Sequence, residues 1–165
     1  MSELSLVVAE QSPLSLILGY SDSSALELMD KAELREVIGN IERIMLSMDG
    51  QIDIPVFHHF SKGIYAREMQ MPAGSILVGK IHKHENLSIL SAGEVSVLSQ
   101  DGIKRFKAPY TFVATAGAKR VIYAHSDAVW TVIHGTDEKN VEKIEEEFIA
   151  KDYEEIIFQE AKCLG

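Results

Sequence analysis

The sequence predicts a mainly β, single-domain fold: one antiparallel β-barrel or sandwich with helices before and after it. Three observations predict it. From Ile64 to His134 the chain reads as a succession of short strand-like runs,. Turn residues punctuate those runs at intervals of about ten positions, at Pro72-Ala73-Gly74, Ser91-Ala92-Gly93, Gln100-Asp101-Gly102 and Ser126-Asp127,. No helical pattern separates the runs, which argues for antiparallel pairing.

The chain divides into an N-terminal arm and helices (1–50), a β region (51–135) and acidic C-terminal helices (136–165). Its 165 residues suffice for one core,. In the arm, the apolar clusters Leu4–Val8 and Leu14–Leu18 have the length of short strands. Ser21-Asp22-Ser23-Ser24 has the composition of a helix cap. Asp30 and Glu33 then have capping-box spacing,. Leu34, Val37, Ile38, Ile41, Ile44, Met45 and Met48 fall on one helical stripe that ends at Asp49-Gly50,. That stripe must bury itself on the sheet or on a second copy of the chain. On the strand that follows, His58 and His59 are adjacent and face opposite ways.

Strands are predicted over Ile64–Met71, Ser75–His84, Leu87–Ser91, Glu94–Ser99, Ile103–Lys107, Thr111–Thr115, Lys119–His125 and Ala128–His134,. Trp130 lies in the last of them and reads as core. Gly135–Glu160 reads as helical, with Val141, Ile144 and Phe148 on one apolar stripe and Tyr153, Ile156 and Ile157 on another,.

The net charge of −9 is concentrated in that tail: Asp137–Glu160 holds ten acids and three lysines. Duplex nucleic acid is disfavoured as a partner, because phosphate contacts need clustered Lys and Arg. A small anion, which needs only two or three focused cations, is not. The single cysteine, Cys163, permits no internal disulfide,. No apolar run reaches the ~18 residues of a membrane span, and Met1–Tyr20 lacks a basic leader region. A cytoplasmic setting is expected.

The stretch Gly74–Gly93, GSILVGKIHKHENLSILSAG, carries His82 and His84 one residue apart. It resembles the first signature of the cupin superfamily, small jelly-roll β-barrels in which a His-x-His pair, a carboxylate and a second glycine follow a first glycine. Aligned on Gly93, the family's glutamate falls at Asn86. The second signature resembles Thr115-Ala116-Gly117-Ala118-Lys119-Arg120, with Arg120 where the family has its third metal histidine. The wording of GIYAREMQMPAG, IHKHENLSIL and AKRVIYAHSDAVWTVIHGT is also similar to small cupins encoded by tailed bacteriophages.

The resemblance implies a divalent metal in a catalytic cupin, such as a dioxygenase or a sugar-modifying enzyme. Arginine is a fixed cation and cannot ligate, and Asn86 offers only a neutral carbonyl, so no metal is favoured; if one is present, His82 and His84 hold it. His125 and His134 are alternative ligands, without clear convergence on His82. The same residues make an anion clamp: Arg120 supplies a planar fork, His82 and His84 add donors that are charged below about pH 6.5, and Lys80 or Lys119 adds charge. Tyr65 and Tyr123 stack or donate. The function expected is therefore non-catalytic binding of a small anionic molecule, nucleotide-derived in the phage-type reading and sequestered from a host defence system. A metal-dependent enzyme and an oligomeric virion or assembly protein are the alternatives. A homo-oligomer, dimer or higher, is expected.

Overall fold

The computed structural model describes residues 4–7, 24–49 and 51–156. The predicted arm cluster Leu14–Leu18, Ile157 and Cys163 lie outside the described residues.

Among the described residues these elements follow in chain order: β1 (Leu4–Val7), α1 (Ser24–Glu27), α2 (Lys31–Ser47), β2 (Val56–Ser61), β3 (Ile64–Met71), β4 (Ser75–Val78), β5 (Ile81–His82), β6 (Asn86–Ala92), β7 (Glu94–Ser99), β8 (Gly102–Lys107), β9 (Tyr110–Ala114), β10 (Val121–Ala124), β11 (Ala128–His134), α3 (Val141–Phe148) and β12 (Ile149–Ala150). The ladders β7–β8, β6–β9, β4–β10 and β3–β11 nest one inside the next, all antiparallel. A long hairpin folded at β7–β8 and rolled up gives this nesting, which is the jelly-roll pattern. Rolling deals alternate ladders into two sheets, ordered β1-β4-β10-β7-β8 and β2-β3-β11-β6-β9. The sheets remain separate, so the expected barrel is a two-sheet sandwich: among the described residues no ladder joins their edges.

The inner faces meet through Met69, Leu77, Leu90, Val95, Val97, Ile122, Trp130 and Val132. The outer face of the first sheet is apolar as well, and α2 covers it: Leu34, Ile38, Ile41 and Met45 pack on Ile76, Val78, Leu98 and Val121. The Asp30 side chain accepts from the Ala32 and Glu33 amides, and Glu33 reaches back to the Asp30 amide, forming the predicted capping box. Ile44 and Met48, predicted on the same stripe, are exposed instead.

Two expectations change. The strand predicted over Ser75–His84 breaks at Gly79, whose amide donates to the Arg120 carbonyl at 2.8 Å. The pleat therefore ends before it can carry His84 to the face of His82. The helix predicted over Gly135–Glu160 is interrupted: it starts only at Val141, capped by Asn140, and stops at Phe148, and residues 153–156, which include Tyr153 and Ile156 of the second predicted stripe, are helical again. Ile149 and Ala150 then pair with His82 and Ile81 as a short ladder. Among the described residues no helix is long and apolar enough to cross a membrane.

Candidate functional site

Four of the seven residues expected to bind ligand face one cavity of about 50 Å³ between the sheets: Tyr65, Lys80, His82 and Arg120. The inner face of β3 supplies Tyr65, Arg67 and Met69; β11 supplies Trp130, Val132 and His134; α3 and β12 close one side with Ile144, Glu145, Phe148 and Ile149.

Three expected residues lie elsewhere. Tyr123 alternates with inward-facing Ile122 and so packs on the outer face of the first sheet, beneath α2. Its ring meets His125 edge-on. Lys119 pairs with Glu42 of α2 at 2.5 Å and lines an outer groove. His84, beyond the end of β5, is exposed and meets Phe148 edge-on.

His134, which sequence parity did not bring to His82, stacks on it with ring centroids 5.4 Å apart and planes 19° apart. Phe148 lies against His134 at 4.3 Å. The two imidazoles are neutral over most of the pH range. Burial, then repulsion from His134, Arg120, Arg67 and Lys80, lowers His82 to about 3. Burial, with His84 adding, lowers His134 to about 4. The expected imidazolium contribution near pH 6.5 is therefore absent from His82. What it offers instead is a buried Nδ1 with no hydrogen-bond partner among the described residues.

Arg120 carries the unbalanced charge. Burial lowers its guanidinium from the ordinary value, with Asp101 pulling the other way. Its guanidinium lies over the Phe112 ring at 5.8 Å. Among the described residues it has no hydrogen-bonded or ion-paired acid. Lys80, by contrast, is paired with Glu145 at 3.0 Å. Burial raises the Glu145 carboxyl, and the hydrogen bond and charge of Lys80 more than reverse this. Tyr65 is 3% exposed, and its hydroxyl lies 2.7 Å from His58 Nδ1. His59, on the opposite face, meets Glu68 at 3.4 Å.

These placements do not fit a cupin-type metal. A metal bound to imidazole lies near the ring plane, along the nitrogen lone pair. The near-parallel rings of His82 and His134 cannot both point theirs at one ion without turning,. Asn86 is buried and accepts from Ser88 through Oδ1 at 3.2 Å, while its Nδ2 has no partner among the described residues. Arg120 would repel a cation. No group of three or more His, Cys, Asp or Glu able to hold an ion occurs among the described residues.

No protein-family model matches the chain, and no curated protein matches it. Solved structures do. An acetylacetone dioxygenase from Acinetobacter johnsonii is 22% identical over 53% of this chain and 61% of its own, with a TM-score of 0.42. The chain thus spans about three fifths of that enzyme. An RmlC-like cupin family protein with a double-stranded β-helix fold, from Methanocaldococcus jannaschii, is 12% identical over 51% of this chain and 81% of its own, at 0.43. A cupin 2 domain-containing protein from Halorhodospira halophila is 13% identical over 52% and 65%, at 0.44.

Proposed function

We propose that the chain binds a small anionic molecule between its two sheets without transforming it. One observation carries this reading: Arg120 holds a largely buried charge, without an acid partner among the described residues, against a cavity it shares with His82. A buried cation is stable when an anion meets it, and a planar guanidinium suits a carboxylate or phosphate. Neutral His82 contributes a hydrogen bond through Nδ1 rather than charge. A cavity of about 50 Å³ admits an acid group and few further atoms, so a nucleotide-derived ligand would leave its base outside. On the resemblance to phage-encoded cupins, the use we assign to such binding is sequestration of a host signal.

Native mass spectrometry of freshly purified protein tests for retained ligand and metal together. Calorimetric titration with acetate and with inorganic phosphate then tests the clamp. Hydrogen bonds to charged groups are worth roughly 1.5–3 kcal/mol, so Arg120→Ala should weaken binding about ten- to a hundredfold. Arg120→Lys should restore part of it. Unchanged affinity in a folded Arg120→Ala protein ends the reading.

A further inference from the structure

Arg120 is a wall of two cavities. Beyond it, between β7 and β8 of one sheet and β9 of the other, lies a second space of about 130 Å³. Parity on β8 places its inner residues there: Phe106 pairs with Val95 and Lys104 with Val97, both inward-facing positions. Facing them across the gap are Phe112 and Thr115.

Three features of this mouth point to one kind of ligand. The first is charge. Arg120 and Lys104 both line it, and among the described residues neither is ion-paired. The acid present, Asp101, is paired with Lys31 at 3.2 Å. In a chain of net charge −9, a cavity whose cations outnumber its acids is a local reversal of sign. The second is the apolar wall. Phe106 and Phe112 lie 5.6 Å apart with planes only 8° apart, and Tyr110 stacks on Phe106 at 4.6 Å. Of these rings Phe106 and Phe112 line the space itself and give it an apolar surface against which a further ring can pack edge-on or offset,. The third is exposure: Val113, which lines the mouth from the edge strand β9, is 57% exposed, which leaves an apolar rim open to solvent.

We propose that this mouth is a second binding site, for a carboxylate carried on a flat apolar ring. The ring lies against Phe106 and Phe112, and the carboxylate sits between Lys104 and Arg120. The site goes beyond the inner-cavity reading and shares only Arg120 with it.

Benzoate is the probe, with acetate and benzyl alcohol as controls that lack the ring or the charge. Titrations are followed by calorimetry and by ligand-observed NMR. Benzoate should bind at least about tenfold more tightly than either control, since a charge-assisted contact and a ring contact each contribute on that scale. Lys104→Ala, a change at an exposed position, should weaken benzoate several-fold. Phe106→Leu should do the same, and its fold is checked by its melting curve. His82→Gln, in the inner cavity, should leave benzoate unchanged. Acetate bound in the inner cavity is weakened by His82→Gln, so the comparison is read in that variant, where benzoate no tighter than acetate overturns the proposal. So does benzoate binding that Lys104→Ala leaves intact and His82→Gln abolishes, an outcome that places the acid in the inner cavity and favours that reading alone.

Discussion

Acid should unfold this protein through two stacked histidines. His82 and His134 titrate near 3 and 4 in the folded chain and at 6.5 in the ordinary, solvated state. Between those values the unfolded chain binds protons that the folded chain refuses, so stability is present above pH 6.5 and is lost as pH falls. At pH 5 both folded values lie well below the solution pH, and the loss is set by the unfolded state alone. One pKa unit is worth 1.36 kcal/mol, so each histidine should cost about 2 kcal/mol between pH 7 and pH 5, and the pair about 4. That is a large part of the 5–15 kcal/mol typical of a folded domain. Urea unfolding of wild type, His82→Gln and His134→Gln at both pH values isolates the effect, because the carboxylates titrate alike in all three. Each variant should lose about 2 kcal/mol less than wild type on acidification. If His82→Gln loses as much as wild type, the ring is not held neutral by burial and the reasoning fails.

Three further outcomes are expected. Ile38→Ala, at a fully buried position of α2, should cost about 2–5 kcal/mol, read from the urea midpoint at constant slope. Gly93→Ala should cost more than about 1 kcal/mol, because Gly93 has φ +84° and an added Cβ would meet the Asp127 carbonyl and Ala128 Cα; a melting temperature within 1 °C of wild type would contradict this. The outer face of the second sheet leaves Phe57, Leu87 and Val113 exposed, and with the expected pairing of two copies light scattering should report a mass above the 18.3 kDa monomer. A monomer at micromolar concentration would reject it.

The strands were legible because short apolar runs recur between turn residues at intervals of about ten positions, and local pattern decides such elements. Tyr123 shows where pattern runs out. Its alternation with Ile122 is plain, but both faces of the first sheet are apolar, one against the second sheet and one under α2. Alternation then fixes the parity without saying which face is inside. His134 shows the second limit. Its inward face follows from Trp130 and Val132, yet its meeting with His82 depends on the placing of Phe148 and the β5–β12 ladder. Those contacts are distant in sequence and only two residues wide. The charge run of the tail concealed them, since nothing in that run of ten acids marks Glu145 and Glu155 as the partners of Lys80 and Lys83.

On the proposed reading, the C-terminal segment divides affinity from residence time. Of the groups that would grip an anion in the inner cavity, Arg120 directly precedes β10 and His82 lies on β5, whereas Ile144, Phe148 and Ile149 shut the cavity in from the C-terminal segment. That shutter is fastened by two ladder residues, by the Lys83 amide to the Phe148 carbonyl, and by the lysine pairs to Glu145 and Glu155. Partly exposed ion pairs weaken in salt while packed apolar sheets do not. Rising ionic strength should thus shorten the dwell of any occupant before it disturbs the sandwich that surrounds it.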